Sequence, residues 1–127
     1  MKQILDVGQC GFDGPRMKAI LQNEFDAVVD PCATGDDAIR LVAQRRYDLI
    51  LVNRILAADR TSGIDLIKKL VDLNLNAAIM LVSDFVEAQD EAESVSGVRG
   101  FGKSQLESNA TRERLRQILG PRRETTS

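Results

Sequence analysis

The sequence has no histidine and no tryptophan, one tyrosine, two cysteines and three prolines in 127 residues. Without histidine, the chain cannot assemble a Ser-His or Cys-His nucleophile, a histidine-ligated metal or a phosphohistidine relay. Cys10 and Cys32 are too few for a thiolate cluster or a disulfide framework, and are read as two reduced, half-buried thiols. No apolar run exceeds strand length, so no transmembrane helix is expected. No signal peptide opens the chain, and it reads as cytoplasmic. Charge of one sign is also scarce. Seventeen basic against nineteen acidic residues leave a net charge of -2, with no bulk attraction to nucleic acid or anionic membrane. Gly8-Gln9-Cys10-Gly11 lacks both the Gly-x-Gly-x-x-Gly pattern and the P-loop Lys-Ser/Thr, which argues against a nucleotide cradle.

What remains, 43% hydrophobic and 28% charged, is enough for one globular domain with a real core. Strand-length apolar runs alternate with helix-period segments from end to end. The first run covers residues 3–7. A glycine turn through Gly11 and Gly14 follows, and Pro15 suits the first turn of a helix facing inward through Met17, Ile20 and Leu21. A second strand at Ala27-Val28-Val29 is predicted to stop at Pro31, a residue tolerated only at a sheet edge or strand end. Thr34 is placed to cap the second helix, with Asp37 in capping-box spacing and Ala38, Leu41 and Val42 inside. Leu49-Ile50-Leu51-Val52 reads as a central parallel strand covered on both faces.

A loop over residues 53–62 leads to a third helix presenting Ile64, Ile67, Leu70 and Val71. Ile79-Met80-Leu81-Val82 is the fourth strand. The fourth helix is expected from about Asp84, packed through Phe85, Ala88, Ala92 and Val95 and ended by Gly97. A short fifth strand near residues 98–101 precedes a helix with Leu115, Ile118 and Leu119 on its inner face. Pro121 stops that helix, which divides a domain over 1–120 from a flexible C-terminal tail over 121–127. Strict alternation predicts an α/β protein whose parallel sheet carries helices on both faces. Ligands of such sheets bind beyond the carboxyl ends of the strands. Those ends carry Gly8, Gln9, Asn53, Ser83 and Lys103.

At these positions the chain resembles the receiver domains of two-component response regulators. Thr34-Gly35-Asp36-Asp37-Ala38-Ile39 is similar to the family's Gly-x-Glu-Ala-Leu helix start. Tyr47-Asp48-Leu49-Ile50-Leu51-Val52-Asn53 is similar to its third strand. Gly63-Ile64-Asp65-Leu66-Ile67, Met80-Leu81-Val82-Ser83 and Gly97-Val98-Arg99-Gly100-Phe101-Gly102-Lys103 follow in order, so the likeness runs from residue 4 to about 119. It implies a flavodoxin-like (βα)5 fold with a five-stranded sheet in the order 2-1-3-4-5. In active members, two acidic residues after strand one and an Asp ending strand three hold Mg²⁺. That Asp attacks the phosphoryl donor, while a Ser or Thr and a Lys bind the transferred group.

Here the acidic pair corresponds to Gly8 and Gln9, the acceptor to Asn53, the remaining pair to Ser83 and Lys103, and the switch aromatic to Phe101. Every carboxylate of the set is missing. Mg²⁺ needs oxygen ligands with enough negative charge to offset its dehydration. A charge pair at about 4 Å is worth roughly 4 kcal/mol at an effective dielectric near 20. The expectation is therefore a degenerate, or pseudo-receiver, variant that is no enzyme, holds no cofactor and has lost Mg²⁺ binding. It would act on a protein partner through the fourth helix, fifth strand and fifth helix, with weak homodimerisation also compatible.

Two alternatives accompany that reading. Asp6, with Asp13 or Asp84, rebuilds an acidic site that is phosphorylated; or the emptied pocket around Asn53, Ser83 and Lys103 takes an anion or small ligand. Arg112, Arg114, Arg116, Arg122 and Arg123 make the C-terminal region basic, but Glu107, Glu113 and Glu124 dilute it and no aromatic platform accompanies it. A solvated face, not a nucleic-acid site, is expected there.

Overall fold

The computed structural model describes residues 1–121, so the predicted tail from residue 122 onward, with Arg122 and Arg123, lies outside the described residues. The elements are β1 (Lys2–Val7), α1 (Asp13–Glu24), β2 (Ala27–Cys32), α2 (Gly35–Gln44), β3 (Leu49–Asn53), α3 (Gly63–Asp72), β4 (Ala78–Val82), α4 (Val86–Ser96) and α5 (Asn109–Leu119). A 3-10 turn covers Lys103–Gln105. The strands pair in parallel in the order β2-β1-β3-β4.

Side-chain alternation along the strands splits the core into two layers. Ile4, Leu49, Leu51 and Met80 pack with Met17 and Leu21 of α1 and Leu115 of α5. Leu5, Ile50, Val52 and Leu81 pack on the other face with Ala38 of α2, Ile67 and Leu70 of α3 and Ala92 of α4. This is why the third strand is apolar without interruption: both of its faces are covered. Each fully buried Leu or Ile contributes about 1.5–3 kcal/mol. Thr34 caps α2 as predicted, its Oγ1 accepting from Asp37 N at 3.2 Å. The Asp37 carboxylate turns to Arg40 at 3.1 Å.

Three expectations are corrected. Pro31 does not stop β2, which continues to Cys32. The reason is the edge position: Val29, of the same parity, sends its N–H away from the sheet to Gln22 Oε1 at 2.9 Å, so the N–H that Pro31 lacks has no ladder bond to make. Phe85 does not pack inside; it precedes α4 as its N-cap and is 58% exposed.

The third correction is the fifth strand, and with it the five-stranded order 2-1-3-4-5. The sheet has four strands, and the fifth contracts to a single bridge between Val82 and Phe101. Gly100 passes so close to β4 that a Cβ there would lie 1.9 Å from Leu81 O. The buried Gln89 side chain then does the work of a ladder. Its Nε2 donates to Leu81 O (2.9 Å), Ser83 O (3.0 Å) and Phe101 O (3.3 Å), while its Oε1 accepts from Gly100 N (3.1 Å). Three glycines in residues 97–102 leave little intrinsic strand preference to resist this.

Candidate functional site

β1 ends in a left-handed turn at Gly8, with φ of 80°. Gly8 N–H donates to Cys32 O at 2.9 Å, and Gly8 O accepts from Ala57 N (3.0 Å) and from Asn53 Nδ2 (3.1 Å). A Cβ on Gly8 would lie 2.3 Å from Leu56 Cδ2 and 3.0 Å from Leu56 Cα. Leu56 is fully buried. An apolar side chain therefore fills the corner into which a side chain at position 8 would project. The loop over residues 53–62 holds it there by bonding to itself. Leu56 N donates to Thr61 O (2.9 Å), Arg60 N to Leu56 O (2.8 Å) and Gly63 N to Arg54 O (2.7 Å). Asp59 accepts from Thr61 Oγ1 (2.6 Å) and Thr61 N (3.1 Å), and these bonds keep its carboxyl below the usual range.

The other positions are engaged separately. Asn53 accepts from Arg54 N through Oδ1 at 3.0 Å, so both ends of its amide serve the backbone. Ser83, 8% exposed, accepts from Phe85 N at 3.1 Å and so shapes the turn into α4. Lys103 reaches across to α1, where its Nζ lies 2.8 Å from Asp13 Oδ2, each side chain about a quarter exposed. Lys103 is the main reason that the Asp13 carboxyl sits below its ordinary value, with a hydrogen bond from Cys10 Sγ (3.4 Å) assisting. Asp84 holds the loop after Gly102, accepting from Ser104 Oγ (2.7 Å) and Ser104 N (3.3 Å). The structure thus joins Gly8 to Asn53, and does not bring Ser83 and Lys103 into hydrogen-bond contact with either. Phe101 is buried, 3% exposed.

Asp6 lies deeper in β1, 2% exposed. Desolvation raises its pKa from 3.8 to about 7, against smaller downward pulls from the Gln9 side chain and the Lys103 charge. Yet Asp6 Oδ1, Gln9 Nε2 and Gln9 Oε1, all buried, complete no hydrogen bond. The residues do not fit Mg²⁺. Leu56 occupies the corner at Gly8, Asn53 presents an engaged amide, Asp13 and Asp84 are taken by Lys103 and Ser104, and Asp6 lies deeper in β1. No group of three or more Cys, Asp or Glu among the described residues is arranged to hold a metal ion.

Sequence reasoning missed Leu56 and Gln89. Leu56 gave no signal beyond the length of its loop. Gln89 was legible, since positions 85, 88, 89 and 92 make one helical stripe and a polar residue among them has to find buried partners. On the basic face, Arg112 forks onto Glu24 at 2.9 and 3.2 Å, Arg114 donates to Gly100 O at 3.3 Å and Arg116 pairs with Glu113. No described helix is long and apolar enough to cross a membrane.

This architecture is the fold of response-regulator receiver domains. No family model matches the sequence, and no curated protein matches it. Among solved structures, a two-component response regulator from Clostridium difficile superposes with a TM-score of 0.77 at 20% identity, over 94% of this chain and 96% of that one. A response-regulator receiver domain from Methylobacillus flagellatus gives 0.72 at 23%, over 94% and 98%. A Burkholderia pseudomallei response regulator, solved with a phosphorylated aspartic acid, calcium ion and citrate, gives 0.72 at 17%, over 93% of this chain and 66% of that one. Likeness at these identities establishes the fold.

Proposed function

We propose that this chain is a receiver-fold signalling module of the cytoplasm that binds a protein partner without accepting a phosphoryl group and without catalysing a reaction. One observation carries the reading: Leu56 fills the corner at Gly8 where a metal-binding carboxylate would have to stand. Two others support it. The strand end that carries a phosphorylatable Asp in active receivers carries Asn53 here, whose nitrogen lone pair is delocalised and whose hydrogen donates to Gly8 O. Lys103 is neutralised by Asp13, 90 residues earlier in the chain.

The partner face is assigned to α4, the segment around Phe101 and α5. Phe85 and Val86 stand out at the start of α4, 58% and 65% exposed, with Arg54 stacked on the Phe85 ring at 4.8 Å. Large exposed apolar groups on a small domain mark an interaction surface. Weak homodimerisation would use the same face.

Two measurements test this. The intact protein, incubated with acetyl phosphate and Mg²⁺, should show no species heavier by one phosphoryl group. Partner capture from the native host should not depend on that treatment, and should fail for Phe85→Ala/Val86→Ser. A phosphorylated species, or capture that appears only after treatment, refutes the proposal and favours relocated acids.

A further inference from the structure

Between the end of β1, the start of α1 and the end of β2 lies a cleft of about 550 Å³, lined by Asp6, Gln9, Pro15, Lys18, Pro31 and Ala33 among others. Its size falls within the range of small-molecule sites, about 300–1,000 Å³. It opens to solvent beside Cys10 and Gly11, both exposed, and a Cβ at Gly11 would meet nothing within 4 Å. Its walls are largely apolar. Its polar lining is unusual, because Asp6 Oδ1 and both polar atoms of the Gln9 amide are buried without a partner. Buried polar groups are nearly always satisfied, so these three atoms are free to bond a molecule that enters the cleft.

The chemistry of those atoms narrows that occupant. A carboxyl and a primary amide together offer both donors and acceptors within one small area. An edge carrying one N–H and one C=O matches that set, as in a primary amide or a lactam. Lys18 on the wall disfavours a cation, and Asp6 on the lining disfavours an anion. We infer that this cleft binds a small, neutral, planar molecule with an amide or lactam edge, the edge meeting Asp6 and Gln9 and the apolar body lying on Pro15, Pro31 and Ala33. This does not rest on the partner-binding reading, since the assigned partner face involves none of these residues.

Three isosteric probes make the test: benzamide, benzamidine and benzoate, titrated into the full chain while the Gln9 side-chain amide is followed by ¹H–¹⁵N NMR. Benzamide should shift that resonance with a Kd of about 1 mM, typical of a fragment of its size. Benzamidine and benzoate should bind at least tenfold more weakly. Gln9→Met, at a half-exposed loop position that should leave the fold intact, should weaken benzamide at least fivefold, as judged on the backbone amides of Gly11 and Ala33. No shift with benzamide, equal or better binding of either charged probe, or unchanged binding by the variant would each overturn the inference.

Discussion

Asp6 makes the chain's stability fall with rising pH, opposite to the usual behaviour of a carboxylate. Its pKa rises from 3.8 unfolded to about 7 folded, chiefly because burial strips water from the charged form. A folded pKa above the unfolded one means that the native state binds more protons between these values. The stabilising contribution is full below pH 3.8 and is lost as pH climbs through 7. At 1.36 kcal/mol per pKa unit the complete loss is about 4 kcal/mol, of which roughly 2–3 kcal/mol falls between pH 5 and pH 8. Asp6→Asn cannot ionise and should be free of this term. Urea unfolding of both proteins at pH 5, 6, 7 and 8 isolates it, since every other titrating group cancels in the difference. With an m-value of about 1–3 kcal/mol/M, the variant's midpoint should gain about 1–3 M relative to wild type across that range. The carboxyl carbon of Asp6 should titrate near 7 in a ¹³C spectrum. If the two stability curves run parallel within about 0.5 kcal/mol, or the carboxyl titrates near 4, the desolvation reasoning is refuted.

Two further substitutions probe the rebuilt top and edge of the sheet. Gln89→Leu leaves Gly100 N without its acceptor and three carbonyls without a shared donor; it should cost about 2–4 kcal/mol, with Gly100 amide exchange accelerating before that of β1. Unchanged exchange at Gly100 would show that the bridge to Val82 is sufficient without it. Gly8→Asp, which places a carboxylate at the end of β1, combines left-handed backbone strain with the Leu56 clash. It should lower stability by about 2–5 kcal/mol in thermal unfolding without creating Mg²⁺ affinity. Adding Leu56→Ala should recover part of that loss, and strict additivity of the two changes would rule out the contact.

The sheet was legible because its periodicities reflect burial. Leu49-Ile50-Leu51-Val52 is apolar on both sides because two helical layers cover it, and Thr34 and Ser62 announce helix starts because their oxygens accept from Asp37 N and Asp65 N. Gly97 ends α4 in the left-handed conformation that its position predicts. The errors came where one local rule met a tertiary exception. Pro31 reads as a stop only if both edges of its strand need N–H donors, and an edge strand needs them on one side. Residues 98–101 read as a short strand, but only Phe101 exchanges backbone bonds with β4, and the neighbouring Gly100 N donates to the Gln89 side chain.

The site was legible by subtraction only. The resemblance sets Gly8, Gln9 and Asn53 against the family's acidic positions, but it does not say what fills the space. That depends on the loop over residues 53–62, whose self-bonded turn holds Leu56 against Gly8. With Leu56 there and a φ of 80°, a side chain at position 8 is strained, and Asn53 Nδ2 donates to Gly8 O. Lys103 reaches instead to Asp13 at the start of α1. A lone cation in a half-buried position is costly, so the Asp13 carboxylate, supplied from another element, stabilises the turn that carries Lys103. Leu56 against Gly8, the Asn53 amide on Gly8 O and the Asp13–Lys103 pair together occupy the carboxyl end of the sheet, so a change at position 8 has to displace Leu56 as well.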